Sequence, residues 1–535
     1  LQDRSDGNSD ASTIVQDQQR TLPMRKYLTL NFVFLLVQLV SCNIFLLYDV
    51  FQSEGFNLRR DVYIRVVNVL RLLREPSKLP PGVGVAFSHS DTTDLNWTLV
   101  LPPWGPLPHW FAASHGSVSD SETSWQQFVG LRWSNFFDIS SLNHVVPVIE
   151  FEEFQNILSK SHPQSANTRP QIDLVLNLIR QYENLRTDRQ RGVRFCPPDL
   201  LRSHKIANDP IPISLFQAYL ITNQTELVSP IASRYECITG DLEPVYLAPF
   251  LHQIVHNKSL FTTKPVWSIF LGGAESIIHG LWSEWSQEYW TARRSMVFAS
   301  HLRQIADQFR AKYLASNDHS DRTLMPKPTQ SQLTGSAWMR ASWPLAPALG
   351  GPFLAVHWRC GDFVSHLTGR WNYTPSPALA AKQIAEAAQN QKLDVVYLAT
   401  DASESDVKEL EDELAPITVV RFVPSDSDWS HLGPGEIAII DQWICAHARF
   451  FMGTSPSTFT FRITEERTIM GFTPESTFNT LCASGQARYY TNGQDQVDGE
   501  TDNCEALTFW SIKLEPEYTV PSATSSLPLR SQDEL

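Results

Sequence analysis

Short apolar runs recur along this chain, and several end in a polar cluster that leads into residues spaced as on one face of a helix. "NIFLLYDV", starting at Asn43, has the continuous apolar character of a strand buried on both faces. The turn "FQSEGFN" follows it, and Val62, Val66, Leu70 and Leu73 then repeat at helical spacing until Pro76 stops the pattern. "WTLVLPPW" and "HVVPVIEF" read as further strands. The order restarts later: "PFLAVHW", "LDVVYLAT", "ITVVRF" and "RFFMG" read as strands, and "EIAIIDQWICAHA" as a helix. Strand, turn and helix in repeated succession build a parallel sheet covered by helices, an α/β layer architecture. Residues 168–314 are expected to be mostly helical, closing on the amphipathic run "EYWTARRSMVFASHLRQIADQFRAKYL". The Ser/Thr/Pro-rich interval "ASNDHSDRTLMPKPTQSQLTGS" is expected to be a linker or loop. Two Rossmann-like domains facing each other across a cleft result: residues 43–345, with helical insertions and the linker, and residues 346–515.

A chain of 535 residues exceeds the size at which one core stops growing, which agrees with two domains. With 42% hydrophobic and 19% charged residues the bulk is globular, and a net charge of -14 disfavours nucleic acid as a partner. Met24-Arg25-Lys26, the apolar stretch from Leu28 to Leu39 and Val40-Ser41-Cys42 read as a signal peptide over 24–42. Met24 is then expected to be the true start, with residues 1–23 as upstream sequence, and no transmembrane span is expected in the mature chain. An uncleaved anchor helix is the competing reading. The terminal "SQDEL", after a Pro/Ser-rich tail over 516–535, reads as a signal for the endoplasmic-reticulum retrieval receptor. Together these place the protein in the endoplasmic-reticulum lumen. Four sequons, at Asn96, Asn223, Asn257 and Asn372, fit that compartment. Cys196 with Cys237, and Cys482 with Cys504, are the candidate disulfides because their surroundings look polar and loop-like. Cys360 and Cys445 sit in apolar segments and are expected to stay reduced.

In open α/β sheets ligands bind beyond the carboxyl ends of strands, and three polar clusters fall there. Glu54-Gly55-Phe56-Asn57 follows the first strand, where Glu54 is either a reacting carboxylate or a turn residue. In "HWRCGDF", Arg359 offers a planar fork suited to phosphate, and His357 points to the same strand face; the competing reading pairs Arg359 with Asp362 or another acid. In "GTSPSTFTFR", Thr454, Ser455, Ser457 and Thr458 stand at the start of a helix, where free backbone N–H groups receive anions, although a simple N-cap needs only one of them. Asp441, in a helix that reads as buried, could meet a base edge or a neighbouring Arg.

The chain has no Gly-x-Gly-x-x-Gly after a strand, no Gly-x-Ser-x-Gly elbow and no P-loop, so dinucleotide oxidoreductase, α/β-hydrolase and P-loop readings lose support. His252 and His256 in "HQIVH" lack the glutamate of a zinc protease, and Asp426-Ser427-Asp428 reads as a solvated loop rather than a metal-diphosphate clamp.

Taken together, "LYDVFQSEGFNLRRDVYIR", "VLPPWG", "EYWTARRSMVFASHLR", "GGPFLAVHWRCGDF", "ATDA" and "AIIDQWICAHARFFMGTSPSTFTFRI" closely resemble the GDP-fucose protein O-fucosyltransferases, in order from about Leu47 to Lys513. The resemblance implies a GT-B glycosyltransferase, inverting and without an essential metal or other cofactor, that moves fucose from the donor GDP-fucose to Ser or Thr of folded thrombospondin type 1 repeats. It implies that Glu54 is the catalytic base, in a nucleotide-sugar loop with Ser53, Gly55, Phe56 and Asn57. His357 and Arg359 match donor-binding positions, Arg359 being placed to stabilise the departing diphosphate. Asp441, Thr458 and Phe459 match further donor contacts, beside Ser457 of the anion turn, and Glu466 matches a position needed for activity. Two departures stand out: Ser53 replaces a usual proline, and Cys360-Gly361 replaces a usual basic pair. A retained chaperone or lectin-like quality-control protein that binds such repeats, and a fucosyltransferase acting on epidermal-growth-factor-like repeats, are the alternatives.

Overall fold

The computed structural model describes residues 42–50, 54–79, 95–104, 107, 130–161, 171–180, 211–212, 221–223, 226–228, 231–232, 234–240, 243–256, 266–278, 287–323, 348–361, 363, 374–425, 428, 432–454, 457–483 and 486–490. In chain order, the first half contains β1 (Cys42–Tyr48), α1 (Phe56–Arg74), β2 (Leu95–Leu101), β3 (Val148–Glu150), α2 (Phe151–Ser161), β4 (Leu174–Arg180), β5 (Tyr235–Gly240), α3 (Pro244–His256) and β6 (Val266–Gly272). These six strands form one parallel sheet in the order β5-β4-β6-β1-β2-β3, and short strands over 171–172, 211–212, 221–223, 226–228 and 231–232 form two small sheets beside it. Strand β1 lies between β2 and β6, pairing Leu46 with both Leu99 and Ile269. Ile44, Leu46 and Tyr48 face one core, and Phe45 and Leu47 face a second against Phe154 and Phe270. Burial on both faces is why this strand is written as an unbroken apolar run.

Two helices, α4 (Gln287–Ser295) and α5 (Ser300–Tyr313), lead to the second half. There β7 (Gly351–Trp358), α6 (Pro377–Gln391), β8 (Val395–Thr400), α7 (Glu404–Leu414), β9 (Thr418–Val420), α8 (Pro434–Ala446), β10 (Ala448–Thr454), α9 (Thr458–Met470) and β11 (Asn479–Leu481) form a second parallel sheet, in the order β9-β8-β7-β10-β11. Phe353 and Ala355 of β7 point into the core shared with the first half, whereas Leu354, Val356 and Trp358 point into the second sheet's own core. The GT-B-like, two-sheet α/β class expected from the sequence is therefore the class observed. The shared core also ties the halves: the rings of Phe298 and Trp443 meet edge-on at 6.1 Å.

Residues 168–314 differ from expectation. They are not mostly helical, for they supply β4, β5 and β6, half of the first sheet. The strands were hidden because polar residues interrupt them and their partners are remote. Ser268 in β6 is fully buried, and its N–H and hydroxyl both donate to Asp173 at 3.0 Å, so its polarity is satisfied rather than exposed. The long amphipathic run is also two helices. Between them the chain pairs with residues 136–138: Asp138 N–H donates to Val297 O and Ala299 N–H to Phe136 O, both at 2.9 Å. In the expected linker, residues 315–323 are packed, with Gly350 N–H donating to Asp321 O at 2.9 Å; residues 324–347 lie outside the described residues.

Cys360 and Cys445 are buried free thiols. Cys482 is disulfide-bonded; Cys196 and Cys504 lie outside the described residues, and Cys237 sits in strand β5 rather than in a loop. No helix among the described residues is long and apolar enough to cross a membrane.

Candidate active site

Each sheet reverses its strand order beside its first strand: β1 has β2 on one side and β6 on the other, and β7 has β8 and β10. The reversal opens a crevice at the carboxyl ends, and the clusters singled out in the sequence fall at these two switch points. At the first, Asp49 staples β1 to β6, its Oδ1 accepting from Gly273 N–H at 3.0 Å while its carbonyl accepts from Ala274 N–H at 3.2 Å. Gly273 takes a φ of 79°, a left-handed turn that favours glycine.

Glu54 and Gly55 stand between this staple and α1. Gly55 caps the helix in an extended conformation with no side-chain capping bond and no acid in the first turn, so the N-terminal end of α1 retains its positive dipole. The backbone carbonyl of Glu54 accepts from Arg59 Nε at 3.0 Å. The Glu54 carboxyl is half-buried, and burial first, then the negative charge of Glu275, raise it above its usual range against the pull of Arg65 and Arg59. The ring of Phe56 is buried against Trp104 at 4.8 Å and Phe136 at 5.3 Å, so what this residue can offer a ligand is its backbone. Asn57 is nearly buried, and its Oδ1 accepts from Arg60 Nη1 at 3.3 Å and Gln442 Nε2 at 3.1 Å. Ser53 lies outside the described residues.

At the second switch point Thr454 is spent on structure. Its hydroxyl donates to His357 O at 3.1 Å and accepts from Arg359 N–H at 3.0 Å, closing β10 onto the end of β7, so it is not a free anion ligand as the sequence suggested. Ser455 lies outside the described residues. Ser457 occupies the N-cap of α9 without a side-chain capping bond, unlike the ordinary serine cap that was the alternative. Thr458 and Phe459 open the helix half-buried. The Phe459 ring stacks on His357 with centroids 4.3 Å apart and 19° between planes.

The His357 tautomer follows from its partner. The Thr460 hydroxyl donates its one proton to Thr454 O at 2.9 Å, so at 2.7 Å from His357 Nδ1 it must accept, leaving Nε2 as the ring's acceptor. Burial, then the nearby Arg359 charge, push His357 down to about 3, so the ring is neutral at physiological pH. Arg359 pairs with Asp401, an acid in the "ATDA" segment that the local reading had not named; Asp362 lies outside the described residues. The other Asp401 oxygen accepts from Cys360 N–H at 2.7 Å, and a Cβ at Gly361 would collide with the Asp401 carboxylate. The departure at Cys360-Gly361 is thus filled by a compact turn around Asp401.

Of the two partners considered for Asp441, no Arg forms an ion pair with it among the described residues; its Oδ1 accepts from the Tyr397 hydroxyl. Although Asp441 keeps some accessible surface, its carboxyl is largely desolvated, which pushes it up to about 7 despite the Tyr397 bond and the Arg421 charge. Glu466 is buried and accepts from Arg293 Nη2 at 2.8 Å, so it lies at the junction of the halves. Asp428 closes a turn, accepting from Ser425 N–H at 2.8 Å; Asp426 lies outside the described residues. His252 is buried on α3. No group of three or more metal-ligating side chains occurs among the described residues.

Helices α1 and α9 bring the two switch points together. Asp61 of α1 lies 3.7 Å from Arg462 of α9, each in its helix's second turn, so both carboxyl edges and both uncapped helix N-termini converge. That arrangement can hold an anionic leaving group while presenting a carboxylate with raised proton affinity. Asp401, Thr460, Arg60 and Gln442 were missed by reading the sequence. All four lie in segments quoted for the resemblance, but their roles depend on partners remote in sequence.

Residues 45–470 match the family model described as GDP-fucose protein O-fucosyltransferase. GDP-fucose protein O-fucosyltransferase 2 of Homo sapiens is 36% identical over 471 residues, covering 88% of this chain and 89% of that protein. The Caenorhabditis elegans protein of the same name is 36% identical over 442 residues, covering 82% and 86%. Among solved structures, POFUT1 in complex with GDP-fucose aligns with a TM-score of 0.43 at 14% identity, over 80% of this chain and 95% of that one.

Proposed function

Because this chain belongs to the GDP-fucose protein O-fucosyltransferase family, and is thereby an enzyme with GDP-fucose as its donor, we propose that it transfers fucose with inversion to Ser or Thr of folded thrombospondin type 1 repeats. The observation that supports the mechanism is the 3.7 Å contact of Asp61 with Arg462, which joins α1, the helix that follows Glu54, to α9, the helix that follows the strand closed onto Arg359. The acceptor Oγ attacks the anomeric carbon, the bond from that carbon to the diphosphate oxygen breaks on the opposite side, and the hydroxyl proton passes to Glu54. A raised carboxyl suits that proton transfer at neutral pH. Charge growing on the diphosphate is met by Arg359 and the first-turn N–H groups of α9, donors fixed before the reaction begins. Asp401 holds the Arg359 guanidinium in place, and His357, neutral with Nε2 as acceptor, suits a sugar or ribose hydroxyl.

The acceptor reading rests on the similarity to proteins named O-fucosyltransferase 2, and the endoplasmic-reticulum location and retrieval-receptor contact rest on the signal-like segment over 24–42 and the terminal "SQDEL". The test is transfer of labelled fucose to folded thrombospondin type 1 and epidermal-growth-factor-like repeats side by side. Labelling of the former alone is expected, and labelling of the latter alone would move the enzyme to the other acceptor class. Glu54→Gln is expected to keep GDP binding and lose about 10²- to 10⁴-fold in transfer; near-normal transfer would remove Glu54 as the base. A binding-only chaperone role predicts no turnover in the unmodified protein.

A further inference from the structure

We propose that Gln442 is a positioning residue that couples the donor seat on α8 to the loop carrying Glu54, through a three-way clamp with Asn57 and Arg60; this rests on the base reading of Glu54. Arg60 Nη1 lies 2.8 Å from the Gln442 side chain and 3.3 Å from that of Asn57. A guanidinium can only donate, so both amides turn oxygen toward it, and Gln442 Nε2 then donates to Asn57 Oδ1 at 3.1 Å. The orientation of Asn57 is thereby dictated by a residue from the other half of the molecule. With Oδ1 occupied twice, Nδ2 is the donor that Asn57 can offer elsewhere, three residues beyond Glu54.

The clamp is closed to water. Arg60 is fully buried and Gln442 nearly so, and the guanidinium lies 5.1 to 5.9 Å from the ring centroids of Phe56, Phe137 and Phe298. Desolvated bonds of this kind have few alternative geometries, because no solvent replaces a lost partner. Gln442 also directly follows Asp441, whose side chain meets Tyr397 in the second sheet's half. Adjacent residues of one helix therefore reach in different directions, Asp441, a candidate donor contact, to Tyr397 and Gln442 to Asn57 in the first turn of α1, three residues from Glu54. A shift of α8 on donor binding must move Asn57, and a misplaced Asn57 displaces the loop that carries Glu54.

Two substitutions in the full chain separate positioning from stability. Gln442→Glu keeps an acceptor for Arg60 but cannot donate to Asn57, whose oxygen then faces a carboxylate or, if the amide flips, whose Nδ2 faces Arg60, so that its present orientation is no longer held; Gln442→Met keeps the volume and makes neither bond. The expected result for Gln442→Glu is an unchanged or higher Tm and GDP affinity within about threefold, but kcat lower by about 10- to 100-fold, the scale of a small misplacement of a reacting group. Gln442→Met should lose both kcat and Tm. Wild-type kcat in Gln442→Glu, or a loss confined to KM, overturns the proposal. Glu54→Gln is measured in parallel: retained transfer there defeats the base reading itself, whereas retained kcat in Gln442→Glu alone defeats only the coupling.

Discussion

At Glu54 burial and the Glu275 charge hold the carboxyl above its usual range, which has two consequences of opposite kind. As the proposed base it must be ionised, so kcat/KM should fall as pH falls through this raised value. Glu275→Gln, by removing a raising influence, should move that acid limb to lower pH in a pH–rate profile. For stability the sign reverses: the fold disfavours the ionised form, so above the unfolded carboxylate range Glu54 costs stability. Glu54→Gln should therefore hold or raise Tm at pH 7 while activity is lost, the pattern of a residue kept for chemistry. Asp441, pushed up to about 7 by desolvation, changes charge near neutrality. If its carboxylate receives N–H donors of the guanine edge, GDP affinity should rise between about pH 6 and pH 8, and calorimetry on Asp441→Asn should find weaker binding without that pH dependence.

Among the elements, β1 with α1 and β10 with α9 were legible because each is fixed locally by an apolar run and a glycine or serine turn, followed in α1 by a helical period. The α9 turn also needs Gly453. A Cβ there would collide with the Thr460 side chain, the group that fixes the His357 tautomer. Gly453→Ala should weaken GDP binding more than tenfold, with a Tm loss of a few degrees, which titration and a thermal melt would test together. Strands β4, β5 and β6 were not legible. Single buried polar residues, Asn177 in β4 and Ser268 in β6, interrupt apolar runs too short to tell strand from helix, and pairing with each other and β1 distinguishes them from helix. The break between α4 and α5 was hidden for the same reason, since the pairing that interrupts the helical run comes from residues 136–138.

Across the whole molecule the halves are joined by a buried ionic cluster. Glu465 accepts from Arg293 Nε at 2.6 Å and from Arg462 Nη1 at 2.9 and 3.0 Å, and Glu466 accepts from Arg293 Nη2. Burial alone would raise the Glu465 carboxyl, but Arg462 and Arg293 hold it below its usual range. A depressed carboxyl stabilises the fold above its unfolded value, and that contribution is lost as pH falls through the folded one. Tm should therefore drop in acid. Glu465→Gln, which leaves two buried guanidinium groups facing a neutral amide, should cost about 3 to 5 kcal/mol near neutral pH and flatten the acid dependence. Denaturant melts from pH 3 to pH 8 would measure both. Glu466, carried over as necessary for activity, lies in this junction, so its substitution should lower Tm together with kcat.

The sequence by itself determined the two-sheet α/β class, the strand–turn–helix units that carry Glu54 and the α9 turn, and the family. These follow from local periodicity, from chain direction at strand ends and from motifs long enough to be distinctive. Only the tertiary structure decided which groups face one another: Asp401 with Arg359, Thr460 with His357, Tyr397 with Asp441, and Gln442 with Asn57. Each pairing joins residues at least 42 positions apart. Their hydrogen bonds set tautomer, charge and orientation through distance and desolvation, which do not exist until the sheets and helices have packed.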